Sequence, residues 1–382
     1  MENTAELLKR NETLARDVLA PAADKVDQNR RFPRENIEAI GKAGLLGLLV
    51  PREYGGAGGG LAEMSQALTT MAEACASTAM VVLMHYCGAA AVVAKGGSKL
   101  KDEVLPEIVS GKHLSTLAFS EPGSGGHFYF PVSEVSQNGG AKHLSARKSF
   151  VTSAGEADSY VVSTRRANAA GPTDVNLYLV RGGTPGFRVE GRFEGLGLAG
   201  NCSAPVGLHQ VPLDDELLLG AEGSGFATMM EVVLPHFQIG AASVSLGIAA
   251  AAFRAATAHV GGRKYEHAGN APLSSIPRVQ FLAAEMALEL RSARAYLAET
   301  LRRVTAGDPE AMLDILGIKA RAAEASTSVV ARAMTLGGGA AFGRRGGLER
   351  MFRDAQAAAV MGPGTDVLKE FLGKACLGVP LF

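Results

Sequence analysis

Leu117-Ala118-Phe119-Ser120-Glu121-Pro122-Gly123-Ser124-Gly125-Gly126 stands where the chain changes period. Its glycines let bare amides and carbonyls approach a flat ligand, and its serines add hydroxyl donors. The same pattern also makes an ordinary tight turn. Upstream, residues 1–113 read as helix: Leu7, Leu8, Leu14, Val18 and Leu19 recur at helical spacing, and Phe32-Pro33-Arg34-Glu35 opens another helix. Apolar helices are expected through Met71–Met84 and Tyr86–Ala94. Downstream, residues 114–220 carry short β-branched runs at 149–153, 160–164, 176–180 and 187–189, parted by turn residues. Residues 221–382 return to helix in three long patterns, Phe226–Val260, Val279–Val304 and Pro309–Leu336. Asp308-Pro309 suits the start of the third, and Gly337-Gly338-Gly339 its end. Alanine-rich faces permit the close axis approach of a bundle.

The 382 residues carry 38 Lys+Arg against 38 Asp+Glu. Zero net charge argues against a nucleic-acid binder, which needs excess cation to displace phosphate counterions. At 47% hydrophobic and 20% charged, the composition is that of a globular chain. The first residues hold an early acid and no apolar core, unlike a signal peptide. Val232–Ala252 is apolar but broken by Pro235, His236 and Gln238, a poor membrane span. Four scattered cysteines form neither a metal site nor a disulfide framework, so no metal is expected and a reducing cytoplasm is the expected home.

Gly195-Leu196-Gly197-Leu198-Ala199-Gly200 matches G-x-G-x-x-G, but Asn201-Cys202-Ser203-Ala204-Pro205 follows where a dinucleotide fold needs a helix. A turn of the β segment is the better reading. Nucleophile-elbow, Walker A and HExxH patterns are absent.

Several stretches occur together in one order. They are Gly44-Leu45-Leu46-Gly47, Val50-Pro51 with Tyr54-Gly55-Gly56, Ser120–Gly125, Leu246-Gly247-Ile248-Ala249, and Arg353-Asp354-Ala355 with Gly364-Thr365. On a helix–β–helix scaffold this collinear set resembles the acyl-CoA dehydrogenase family over nearly the whole chain. The resemblance implies an α+β fold with an N-terminal helical domain, a β-barrel-like middle and a C-terminal four-helix bundle. It implies FAD at the boundary of β domain and bundle. Leu117, Phe119 and Ser120 would line the ring system, with Gly125 and Gly126 at the loop end. Phe150 would offer a flat wall, and Thr152 would reach the ring edge. Gly337, Gly338 and Gly339 would approach the nucleotide half across a subunit interface, Thr365 the adenosine side, and Arg263 the pyrophosphate. Family members are usually tetramers; here a tetramer or dimer is expected, and the apolar Val379-Pro380-Leu381-Phe382 suits interface burial.

The resemblance also exposes a departure. Dehydrogenation of an acyl-CoA needs a base for the α-proton, usually a Glu just before Gly-Thr or one on the first long C-terminal helix. Here the first seat reads Met361-Gly362-Pro363 and the second holds Phe237 beside Gln238. Asp366, His127 and His85 are the candidate replacements, with Glu231 and His236 nearby. Three readings stay open. One is a dehydrogenase with a relocated base, acting on an acyl-CoA or related thioester and passing electrons to an electron-transfer protein. Another is an oxygenase in which reduced flavin meets O₂, a reading that the crowded His127-Phe128-Tyr129-Phe130-Pro131 would suit by reshaping the acyl mouth. The third is a non-catalytic flavin or acyl-CoA binder.

Overall fold

The computed structural model describes residues 4–344 and 346–380. Helix α1 (Thr4–Leu14) runs through a π-helical turn into α2 (Ala20–Asn29), and α3 (Arg34–Lys42), α4 (Leu61–Ala74), α5 (Ala76–Lys95) and α6 (Ser98–Val109) complete the first block. The helix break falls at Cys75, whose backbone is extended, and not near His85 as the sequence pattern suggested. His85 stays inside α5 because the core satisfies both its nitrogens: Nε2 bonds Leu46 O at 3.0 Å and Nδ1 accepts from Ser115 N at 3.0 Å.

The middle segment forms two sheets and no closed barrel among the described residues. In the first, β1 (Ser115–Ala118) runs parallel to β4 (Ser159–Arg165), which pairs antiparallel with β5 (Val175–Arg181). These strands are buried almost throughout, being covered by helices as well as by the second sheet. That sheet holds β2 (Val135–Asn138), β3 (Ala141–Val151), β7 (Ala204–Leu213) and β6 (Phe187–Val189), in that spatial order.

The last block comprises α7 (Gly225–Thr228), α8 (Leu234–Gly262), a small ribbon of β8 (Lys264–Tyr265) and β9 (Ala271–Pro272), α9 (Pro277–Thr305), α10 (Ala311–Phe342), α11 (Leu348–Ala355), α12 (Ala357–Val360) and α13 (Thr365–Leu377). Helix α10 packs on α8, α9 and α13, while α8 also packs on α4 and α5, so both helical blocks share one core. Two expectations about α10 need correction. Asp308 Oδ1 does accept from Glu310 N at 2.9 Å, but the helix starts at Ala311 because Asp308 is also drawn to Arg303 at 2.8 Å. At the other end the glycines interrupt the helix and do not end it. Gly338 takes φ 52°, ψ −140°, and helical hydrogen bonding resumes to Phe342. Two helical stretches, 76–95 and 225–262, are long and apolar enough to cross a membrane; 89% and 83% of their apolar windows are buried within the protein.

The Gly195–Gly200 run is a clasp between blocks. A Cβ at Gly197 would lie 2.3 Å from Arg353 O, and one at Gly200 would lie 2.3 Å from the Val26 side chain. Leu198 N donates to Asp354 Oδ1 at 2.6 Å, Gly200 N to Ser77 Oγ at 3.2 Å, and Arg30 reaches Gly195 O at 2.8 Å. The glycines serve helix packing, which explains the motif without a nucleotide. Burial pushes the Asp354 carboxyl up to about 6, against the opposing pull of Leu198 N–H and Arg350. The folded chain therefore holds this proton more tightly than the unfolded chain, and this group's contribution to stability falls as pH rises from about 4 to about 6. The shift amounts to on the order of 3 kcal/mol. Asp354→Asn keeps an acceptor for Leu198 N. Its stability relative to the native protein rises across pH 4–6 and is flat above; urea unfolding at pH 4.5 and 7 checks this, and an equal difference at both pH values contradicts it.

Candidate active site

Three segments remote in sequence meet at one place. Ser149 N bonds Ser120 O at 2.7 Å, joining β3 to the glycine-rich loop after β1. A Cβ on Gly362 would lie 3.1 Å from Gly126 O, so the end of that loop rests on the 361–364 strap before α13. Thr116 Oγ1 donates to Thr152 O at 2.9 Å.

The loop is anchored by an acid the sequence reading passed over. Glu121, 4% exposed, pairs with fully buried Lys148 at 2.5 Å. It also accepts from Val132 N at 2.8 Å, Ser133 N at 2.9 Å and Ser133 Oγ at 2.5 Å. Burial pushes Glu121 upward, but Lys148 and Ser133 outweigh it and hold the carboxyl below its ordinary value. Lys148 additionally reaches Ser163 O at 2.5 Å. Nothing in local sequence signals this pair, since its members lie 27 residues apart on different elements.

Of the residues expected to line a flavin, Leu117 and Phe119 are 6% and 5% exposed, and Ser120 is half-buried. The Phe119 ring stacks on Phe128 at 6.0 Å. Gly125 and Gly126 face open space. Phe150 is 75% exposed and takes φ 51°, a conformation costly for an aromatic residue, at an irregularity in the β3–β7 register. The Thr152 hydroxyl is already paired with Ser203 Oγ at 2.9 Å, so any ring-edge contact falls to that shared hydroxyl or to the backbone. Thr365 Oγ1 and Ser153 Oγ are shielded from solvent without a protein hydrogen-bond partner. An outward flat ring, open glycines and two unspent hydroxyls fit a planar cofactor with polar edges. Arg263 and Gly338–Gly339 are exposed at the far ends of α8 and α10 and share no hydrogen bond with these three segments. Gly337 is buried against Ala341. Leu381 and Phe382 lie outside the described residues; Val379 is 47% exposed.

The two seats of the expected base converge. Lys319 of α10, 1% exposed, donates to Ala358 O at 3.1 Å, Met361 O at 2.8 Å and Pro363 O at 2.6 Å. The same ammonium lies 5.9 Å from the centroid of Phe237 on α8. Burial pushes Lys319 down to about 7. Three carbonyls take the three N–H bonds of the protonated form, so losing the proton also releases a strap contact. Beside the lysine, α8 contributes Gln238, fully buried, with neither amide atom bonded to protein.

Among the base candidates, His85 is corrected. It is fully buried, burial pushes it down to about 4, and both its ring nitrogens are bonded within the core, which leaves neither for a substrate proton. Asp366 follows Thr365 in the first turn of α13 and is exposed. His127 follows Gly126, is exposed, and stands edge-on to Tyr129 at 5.7 Å. Glu370 lies within electrostatic reach of it: Lys374 holds that carboxylate below its ordinary value, with a weaker contribution from His127. Glu231 is exposed; His236 is half-buried, with Nδ1 donating to Val232 O at 2.7 Å. The Phe128-Tyr129-Phe130 run is packed inward: Tyr129 and Phe130 meet Phe226, Tyr129 also meets Phe371, and Phe128 lies on Phe119 and Tyr129, with Tyr129 only 2% exposed. No cluster of metal-ligating side chains occurs among the described residues.

The comparisons agree with this fold. Residues 1–112, 116–211 and 223–377 match the acyl-CoA dehydrogenase N-terminal, middle and C-terminal domains. The chain is 30% identical over 349 residues to the mitochondrial short-chain specific acyl-CoA dehydrogenase of Bos taurus, covering 90% of this chain and 82% of that one. Butyryl-CoA dehydrogenase from Megasphaera elsdenii superposes with TM-score 0.92 at 24% identity, covering 99% and 98% of the two chains. PigA, solved with FAD and proline, superposes with TM-score 0.91 at 20% identity, covering 99% and 98%. The chain belongs to the acyl-CoA dehydrogenase family.

Proposed function

We propose that this chain is an FAD-dependent oxidoreductase acting on the acyl group of a CoA thioester, with His127 as proton acceptor in place of the customary glutamate. The observation that carries the reading is the meeting of the 361–363 strap and Phe237 at Lys319, with the strap's Gly362 against Gly126 and no carboxylate at either usual seat. Bound FAD supplies a ring that accepts a hydride. Leu117, Phe119, Ser120 and Phe150 would hold that ring from the β domain, and Thr365 would offer a hydroxyl on the adenosine side. Arg263 and Gly337–Gly339, remote within one chain, hold the nucleotide half at a contact between copies in a dimer or tetramer. The Glu121–Lys148 pair fixes the loop that presents Gly125 and Gly126. His127, next to Gly126, takes the α-proton on a ring nitrogen, and Glu370 steadies the resulting imidazolium. Of the two exposed candidates, His127 adjoins Gly126 at the end of the glycine-rich loop, whereas Asp366 lies in the first turn of α13.

Dehydrogenation is favoured over oxygenation by one observation. The aromatic run, expected to reshape the acyl mouth, is spent on packing against Phe119, Phe226 and Phe371. The test is His127→Gln. The variant retains flavin, and its anaerobic reduction by butyryl-CoA slows at least 100-fold, the range that general-base catalysis contributes. An Asp366→Asn variant stays within about threefold of the native rate. Reversed outcomes assign the proton to Asp366 and overturn the role of His127.

A further inference from the structure

We propose that Gln238 is the polar anchor of the acyl pocket, selecting an acyl group that carries a hydrogen-bonding oxygen or nitrogen beyond the thioester. This rests on the thioester reading above. A fully buried amide brings two donors and an acceptor oxygen, and here neither Nε2 nor Oε1 has a protein partner. Other buried polar side chains find partners, as Asn36 Nδ2 does with Thr78 Oγ1 at 2.9 Å and Ser65 Oγ with Ser243 Oγ at 2.7 Å, and where single buried atoms such as Ser326 Oγ are left over, Gln238 leaves both ends of its amide unpaired. A Met or Leu of similar size would fill position 238 with no polar group to satisfy.

Gln238 does not itself line the nearby cavity, but its place on α8 sets it one turn from residues that do. Gln238 begins the α8 row that continues at Ala241, Ser245 and Ile248, spaced three and four residues apart. Those three line a small cavity of about 10 Å³, whose far wall is Ala357, Ala358 and Met361. Side chains tilt toward the helix N-terminus, so Gln238 extends the row at its N-terminal end. There its neighbour Phe237 faces Lys319, which grips the carbonyls of Ala358 and Met361. The cavity walls are otherwise mainly apolar. Ser245 Oγ is spent on Ala241 O at 2.8 Å, and Asp354 accepts from Leu198 N. A space of this size admits about one water-sized group, so the acyl end that reaches it is compact. A site built to hydrogen-bond a substrate group rejects the analogue lacking that group, because its buried polar atoms are then left unpaired.

The test compares native protein with Gln238→Leu and Gln238→Met, each purified with bound flavin, using butyryl-CoA and 4-hydroxybutyryl-CoA. The native protein is expected to prefer the hydroxylated thioester at least tenfold in kcat/KM. Both variants lose that preference and melt a few degrees higher in the absence of substrate, since an unpaired buried amide has been replaced by apolar packing. A lower melting temperature with parallel losses on both substrates assigns Gln238 a structural role and overturns the proposal. Unchanged preference with raised melting temperature shows that the amide serves a buried water, and overturns it as well. Failure of both thioesters to reduce the native flavin overturns the thioester reading itself, and with it this assignment.

Discussion

Glu121→Ala is expected to destabilise the protein by about 3–5 kcal/mol and to weaken flavin retention at least tenfold. The magnitude follows from what remains. Lys148 has no solvent exposure, and removing its carboxylate partner leaves a buried ammonium facing only the carbonyls of Ser163 and, at 3.4 Å, Phe119. The amides of Val132 and Ser133 lose their acceptor in the same stroke. These contacts tie the 119–126 loop to the chain leading into β2, so flavin binding falls along with stability. The double variant Glu121→Leu/Lys148→Met removes both charges and recovers most of the loss, because a buried pair is worth little beyond its apolar replacement. Acid titration gives a second signature. A carboxyl held below its ordinary value adds stability that is present above about pH 4.5 and is lost as pH falls through the folded-state value. Chemical denaturation of the four cycle members checks the account; a double variant no better than Glu121→Ala contradicts it.

Lys319→Met is expected to lower turnover at least 100-fold while flavin content stays within about twofold. The hydrogen bonds of the lysine go to Ala358, Met361 and Pro363 and to none of the residues proposed to line the flavin from the β domain. Its three bonds hold Ala358, Met361 and Pro363, and with them the strap that sets Gly362 against Gly126. On the proposed role of His127, freeing the strap would misplace the thioester relative to it, and misplacement of about 1 Å costs on the order of 10²-fold. Three buried carbonyls also lose a donor, which predicts a stability loss of a few kcal/mol. The two effects separate through rescue of Lys319→Ala by ethylammonium. A small primary ammonium refills the carbonyl cage and restores activity, whereas a guanidinium of similar size does not. Absence of any rescue, together with proportionate loss of flavin, reduces Lys319 to scaffold.

The sequence carried the architecture well because period is a local property. Helical spacing at Leu7–Leu19 and β-branched runs at 160–164 and 176–180 reflect which side chains face the core. Boundaries were harder wherever a distant group decides them. Cys75, not His85, breaks the helix pair because Leu46 and Ser115 supply partners that let His85 stay in a helix. Gly338 interrupts α10 without ending it. The loop, strap and second seat were legible as separate motifs. The residues that join them were not, because Glu121–Lys148 and Lys319 with its carbonyls are pairings over 27 to 44 residues. In sequence Gln238 is a polar break in an apolar helical stretch, and only its burial without a partner makes it informative.

The most direct measurement of the central claim is anaerobic mixing of the flavin-loaded protein with a panel of short acyl-CoAs, following the visible flavin absorbance. The account predicts rapid bleaching by at least one thioester, with the enoyl product recovered in equal amount. Absorbance untouched by every thioester, together with a peroxide-like band when chemically reduced protein meets O₂, contradicts it.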